Sequence, residues 1–241
     1  MPSFQLHIAR ITPDMKPADI AKAVDHYADG QSRDPGREFT VLNCHAYPQS
    51  GLVQISLARQ VGCQIQSIAA LDKKKPDAFE LVTRDVLRVT PLDMAINTKL
   101  GLLETYGGGT GSIENASMFL AGALALAVLA EAQKIDVIKA IDWLTANVER
   151  LQVRRSDISD YSHNSYMIGP YAPKFLDSQH GLDFTQEYIA GVKKVAVRFS
   201  GPAGHIGLNL TAAASFTGTV KDEDDLPHAQ SICRKIAGIR A

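Results

Sequence analysis

The chain has 241 residues, of which 45% are hydrophobic and 21% are charged, and its formal net charge is −1. This composition supplies enough apolar surface for a folded core and excludes a largely disordered chain. The near balance of 25 basic and 26 acidic residues excludes the strongly basic surface of a dedicated nucleic-acid-binding protein.

The cysteines and the first residues indicate the cellular compartment. Cys44, Cys63 and Cys233 show no paired spacing, and their odd number argues against a disulfide framework. The first residues lack the basic and long apolar parts of a signal peptide. We therefore expect a cytoplasmic protein that does not associate with membranes.

The first ninety residues carry mainly strand patterns. Phe4, Leu6 and Ile8 alternate with polar residues and predict a strand, and a short helix should run from Pro17 to Gly30. A turn at residues 48–51 separates a predicted strand at 39–46 from another at 53–57, which predicts a hairpin. Two further strands are predicted at 63–69 and 79–89, with a charged turn at 72–77.

The middle of the chain changes to helical patterns. The longest apolar run, residues 118–130, would span about 20 Å as a helix, too little for a hydrocarbon core of about 30 Å. We therefore predict a helix that is buried on every side. A second helix is predicted at 135–151, where apolar residues recur at intervals of three and four. The two helices should pack against each other as an antiparallel pair.

The last third returns to strand patterns. Alternating apolar residues at 195–199 and 206–210 flank a glycine-rich turn and predict a second hairpin. Residues 156–191 show no sustained period and are predicted to form a long ordered loop, and a short helix should end the chain. The predicted fold is α+β, with mostly antiparallel sheets around a central helical pair. It forms either one compact fold or two subdomains at residues 1–100 and 101–241.

A glycine-rich segment before the 118–130 run is a candidate anion site, since glycines let backbone N–H groups approach a phosphate and a helix N-terminus attracts negative charge. The segment is Gly107, Gly108, Gly109, Thr110, Gly111 and Ser112. It resembles, over six residues, part of the GGGTGTG signature of the tubulin-like family, which implies nucleotide binding. The opposing interpretation is a structural turn, because the family's final glycine is absent and Glu114 would repel a phosphate.

Two surface groups are candidate binding sites for macromolecules. An aromatic group in the predicted long loop could anchor a protein partner, and basic residues could bind nucleic acid. The partner-binding candidates are Tyr161, Tyr166, Tyr171, Lys174 and Phe175. The nucleic-acid candidates are Lys73, Lys74, Lys75, Arg154, Arg155, Lys193 and Lys194. The favoured interpretation of each basic residue is a solvated turn or strand end, because phosphate contacts need several cations on one face.

No catalytic residue or metal ligand is predicted. The seven histidines form no HxxxH or HExxH pair, there is no GxSxG serine motif, and the P-loop spelling is absent. No cofactor follows from the sequence. The leading hypothesis is a non-catalytic interaction or assembly subunit that binds a protein partner or itself. The alternatives are a nucleic-acid-associated factor and a phosphate- or nucleotide-binding protein that uses residues 107–112.

Overall fold

The computed structural model describes residues 2–12, 15–31, 38–72, 75–107, 109, 111–125, 128–164, 167–188 and 191–238. Within these ranges the strands are β1 (Ser3–Thr12), β2 (Phe39–Tyr47), β3 (Leu52–Asp72), β4 (Lys75–Asn97), β5 (Leu102–Tyr106), β6 (Leu129–Ala132), β7 (Gln152–Asn164), β8 (Met167–Tyr171), β9 (Val192–Ser200), β10 (His205–Thr211) and β11 (Ser215–Val220). The helices are α1 (Pro17–Gln31), α2 (Ser112–Leu124), α3 (Val137–Asn147), α4 (Ser178–Glu187) and α5 (Leu226–Ala237).

All of these strands belong to one antiparallel sheet. The strand order is β2-β3-β4-β5-β1-β11-β10-β9-β7-β8, and β6 pairs with β1 beside this path. One edge of β1 pairs with β5, while its other edge pairs with β11 through residues 3–7 and with β6 through residues 9–12. β1 is therefore an interior strand whose backbone groups find partners on both sides.

Two hydrophobic cores lie on opposite faces of the sheet, because β1 sends alternate side chains to each face. Leu6 and Ile8 join a core that α3 and α5 cover over β7, β9, β10 and β11. Ile11 joins the other core, which α1 and α2 cover over β3, β4 and β5. β1 thus contributes to both cores, with α3 and α5 on one of its faces and α1 and α2 on the other.

The predicted helix with an apolar stripe is present as α3. Asp136 begins it, since its carboxylate accepts hydrogen bonds from the backbone N–H groups of Ile138 and Lys139, each at 3.0 Å. Val137, Ile141 and Leu144 are buried in the core shared with α5. The two predicted hairpins are also present, as β2–β3 and β9–β10.

The predicted central helical pair is wrong, and the fold is instead a sheet-rich architecture with helices on both faces. α2 and α3 belong to different cores on opposite faces. The apolar run at 118–130 is not one helix either: α2 ends at Leu124, Ala125 adopts a left-handed conformation, and β6 follows. An alanine-rich run carries no period that could separate its helical part from its strand.

The predicted long loop at 156–191 is also wrong. This segment contains most of β7, all of β8 and α4. Asp177 begins α4 by accepting a hydrogen bond from the backbone N–H of His180 at 2.9 Å, and buried Thr185 hydrogen-bonds Ser156 of β7. Polar contacts of this kind leave no apolar period in the sequence. The subdivision at residues 1–100 and 101–241 stays a prediction.

Candidate functional site

β3 and β4 extend far beyond the rest of the sheet. β2 pairs with β3 only as far as Arg59, and β5 pairs with β4 only over residues 93–97. Beyond these limits β3 and β4 pair with each other alone, from Gln60 opposite Val89 to Asp72 opposite Lys75. We call residues 60–72 and 75–89 the ribbon. At the usual rise per residue it is roughly 40 Å long.

The ribbon forms because strand patterns continue after the core has ended. Leu57 is fully buried in the core beneath α1 and α2. Side chains alternate along a strand, so the same face of β3 continues outward through Val61 and Ile65. These two side chains are 37% and 51% exposed. The face that packs on helices at the root is therefore open to solvent farther out.

The opposite face of the ribbon also exposes apolar side chains. Leu87 is 70% exposed and Val89 is 60% exposed. Because Val61 lies opposite Arg88 in the register, Leu87 and Val89 point to the other face. A two-stranded hairpin is at best marginally stable in water without a covered face, and concentrated apolar exposure marks interaction sites. Both faces of the ribbon therefore have the character of a docking element.

A cavity of about 340 Å³ lies between the root of the ribbon and the first turn of α2. Its size falls within the range of roughly 300–1,000 Å³ that is typical of small-molecule sites. Both strands of the ribbon root and the start of α2 line it, through Arg59, Val61, Cys63, Arg88, Thr90, Pro91, Leu92, Ser112 and Asn115. Two guanidinium groups thus share one concave surface with hydroxyl and amide groups.

The two arginines of this cavity differ in their partners. The Nη2 and Nε atoms of Arg59 lie 2.5 and 2.6 Å from Oε1 of Glu38, and the guanidinium lies over the ring of Phe39. Arg88 has no carboxylate within salt-bridge distance among the residues that the structure describes. Arg88 is therefore the side chain most available to an anion that enters the cavity.

The predicted glycine-rich anion segment borders this cavity through its last residue. Gly107 and Gly109 have φ angles of 75° and 73°, which only glycine adopts easily, while Gly108 and Thr110 lie outside the described residues. Ser112 begins α2, and its buried hydroxyl is 2.6 Å from that of Thr105. The described residues of the segment lie between β5 and α2, with Ser112 at the wall of the cavity, and the anion site stays a prediction.

The predicted aromatic group forms a cluster between β7, β8 and α4. The rings of Tyr161 and Tyr171 have centroids 4.5 Å apart, and Tyr161 also lies 4.9 Å from Tyr188. A hydrogen bond to Tyr161, together with desolvation, raises the pKa of Tyr188 to about 12. Phe175 joins through Phe184, Lys174 is exposed, and Tyr166 lies outside the described residues. The aromatic rings therefore contact one another closely, and Tyr171 keeps partial exposure.

The predicted basic residues fall into two separate places. Arg154, Arg155, Lys193 and Lys194 lie on the neighbouring strands β7 and β9, and Arg155 is paired with Asp157 at 2.5 Å. Lys75 begins β4 at the far end of the ribbon, and Lys73 and Lys74 lie outside the described residues. Four strands of the sheet lie between β4 and β9, so these residues do not make one continuous patch.

The predicted strands at 63–69 and 79–89 are present within β3 and β4, and they make up most of the ribbon. Sequence reasoning missed that each continues the preceding or following strand, giving lengths of 21 and 23 residues where about 3–10 is usual, and it missed the arginines at the root of the ribbon. In the described part of the chain, no group of three or more His, Cys, Asp or Glu residues could hold a metal ion. Over the same residues, no helix has the length and hydropathy needed to cross a membrane. Comparison with protein families and with curated proteins finds no match to this chain.

Proposed function

We propose that this chain is a non-catalytic interaction or assembly subunit that docks on its partner through the ribbon. One observation carries the proposal: a two-stranded element of roughly 40 Å exposes apolar side chains on both faces. Other large exposed apolar residues, such as Leu42, Leu100 and Leu176, are dispersed over separate elements. Single exposed residues of that kind are ordinary, whereas a concentration on one projection is not.

The physical reason for docking is that the ribbon gives little stabilisation within its own chain. Cross-strand pairs contribute only about 0.2–1 kcal/mol each, while ordering each residue costs about 1–2 kcal/mol. Burying Leu87 and Val89 against another surface would add about 25 cal/mol for each Å² of apolar area removed from water. A partner that covers both faces would therefore stabilise the ribbon and bind through it.

A shortened variant tests this function. Replacing residues 61–88 with Asn-Gly keeps Gln60 opposite Val89 and closes the strands with a two-residue turn. We expect the wild-type chain to form a complex, detected by light scattering or by affinity purification with quantitative mass spectrometry, and the shortened chain to lose it while unfolding at a similar temperature. Leu42→Gln is the control for exposed apolar surface outside the ribbon. Equal recovery of partners by both chains would refute the proposal.

A second candidate function is the binding of a phosphate-bearing ligand, including nucleic acid, at the root of the ribbon. The supporting observation is that Arg59, Arg88 and Asn115 line one cavity at the start of α2. Glu38 partly neutralises Arg59, so Arg88 would carry most of the attraction.

Fluorescence anisotropy with oligonucleotides and thermal-shift assays with nucleotides test this second function. Binding should weaken with salt and in Arg88→Gln but not in Arg154→Gln. No binding by the wild-type chain at low salt would eliminate it.

A further inference from the structure

The outer edge of β3 lacks the features that normally prevent strands from pairing between molecules. Residues 60–71 include no aspartate, glutamate, lysine, arginine or proline over twelve consecutive positions. Proteins usually protect free edges with charges, prolines or very short strands. Beyond the hydrogen bond from the backbone N–H of Gln60 to the carbonyl of Glu38 at 2.7 Å, no described strand pairs with this edge. The opposite strand differs, because residues 75–91 carry two prolines and six charged side chains.

We propose that the outer edge of β3 pairs in antiparallel fashion with the same edge of a second copy of this chain. This inference rests on the proposed function and adds to it an edge contact with a second copy, which leaves both faces of the ribbon available to a partner. About half of the residues in an edge strand direct their N–H and C=O groups outward, so two copies would form about twelve interchain hydrogen bonds. Both edges are uncharged, so pairing places no like charges opposite each other. The edge of β4 instead carries the charged residues and prolines that normally limit pairing between molecules.

Symmetry determines how the two ribbons would meet. A twofold axis that makes the same edges face each other in antiparallel fashion must be perpendicular to the sheet. That axis keeps each face of one ribbon continuous with the same face of the other. Val61 and Ile65 of one copy would therefore extend the apolar face of its partner. One residue near the middle of residues 60–71 would lie directly opposite its own symmetry mate.

A matched pair of lysine substitutions tests the proposed edge. Gln66 and Thr83 lie opposite each other in the β3–β4 register, and both are exposed. Gln66→Lys puts a charge on the pairing edge close to its symmetry mate, whereas Thr83→Lys puts the same charge on the other strand. By analytical ultracentrifugation we expect the dimer dissociation constant to rise on the order of tenfold for Gln66→Lys and to change less than about twofold for Thr83→Lys.

Cysteine scanning gives a second measurement that does not depend on stability. In a background with Cys44→Ser and Cys63→Ser, which leaves only the buried Cys233, a cysteine introduced at position 64, 65 or 66 should form an intermolecular disulfide most readily at the position nearest the axis. Monomeric wild-type chain at micromolar concentrations would overturn the inference. So would a dimer that both lysine variants weaken equally. If the chain is monomeric but the ribbon captures a different protein, this inference fails while the proposed function stands.

Discussion

The ion pair between Glu104 and Arg234 provides the sharpest test of the physical reasoning. Glu104 of β5 is only 3% exposed, and the guanidinium of Arg234 on α5 binds both carboxylate oxygens at 2.8–3.0 Å. Tyr106 donates a further hydrogen bond to Glu104 at 2.8 Å. The hydrogen bonds that Arg234 donates to Glu104, together with the charge of Glu104, hold the pKa of Arg234 above its ordinary value. This pair attaches α5 to the middle of the sheet.

Removing the arginine should be much more damaging than removing an exposed one. Arg234→Met leaves a buried carboxylate with no cationic partner, a change that costs about 3–5 kcal/mol in other proteins. Because the Arg234 side chain is 37% exposed and solvent screens part of the attraction, we expect about 3 kcal/mol. Glu104→Gln keeps a hydrogen-bonding group and should cost about 1–2 kcal/mol. Arg155→Met is the control, since Arg155 pairs with Asp157 at the surface and should cost less than about 1 kcal/mol.

A double-mutant cycle measured by urea denaturation separates the pair from its surroundings. The double variant of Glu104→Gln and Arg234→Met should be less destabilised than the sum of the two single variants. We expect a coupling free energy of about 1 kcal/mol or more, because each single change leaves an unsatisfied partner. A coupling below about 0.5 kcal/mol would refute the reasoning, since it would assign the pair the weak energy of a surface contact.

Three further predictions follow from single residues. Leu87→Gln should weaken assembly in light scattering while changing the free energy of unfolding by less than about 0.5 kcal/mol, because the side chain is 70% exposed; a large loss of stability would contradict this. Asp136→Ala should lower the free energy of unfolding by about 1 kcal/mol in urea denaturation. Asp136→Asn should lower it much less, because the amide oxygen of asparagine can accept the same hydrogen bonds at the start of α3 as the carboxylate oxygen of aspartate. Burial, then the charge of Glu104, raises the pKa of Tyr106 from 10 to about 12, so its stabilisation is complete below pH 10 and is lost as pH rises toward 12. Tyrosinate absorbance should show two tyrosines that titrate late, Tyr106 and Tyr188, and Glu104→Gln should lower the midpoint of Tyr106 alone; two unchanged midpoints would contradict the assignment.

The parts of the fold that the sequence predicts are those with a clear local period. β1, α1, α3 and the two hairpins follow from alternation, helical spacing and turn residues alone. The prediction of a single helix at 118–130 is wrong because alanine and leucine fit either a helix or a strand. The left-handed conformation of Ala125 has no signature in the sequence. The division of the helices between two faces depends on the pairing of β1 with β5 and β11, and a local pattern does not contain strand order.

The candidate site was hidden for a related reason. Residues 60–66 alternate between apolar and polar, which predicts a half-buried strand, but the period does not say whether another element covers the apolar face. Arg59 and Arg88 are far apart in sequence and reach one cavity only through the β3–β4 register. The start of α2 then completes that cavity with Ser112. Periodicity indicates which side chains share a face, whereas tertiary packing decides what lies against it.

The same distinction explains why the ribbon carries the functional proposal. Elsewhere in the sheet, helices on one face or the other cover most of the large apolar residues of the strands. In the ribbon, Ile65 and Leu87 keep the strand pattern on opposite faces but remain half exposed or more. We propose that a strand pattern with no cover among the described residues finds its stabilising surface in another molecule. The uncharged edge at residues 60–71 offers a separate contact, because a strand without charges can pair with its own copy while both faces of the ribbon stay available to a partner.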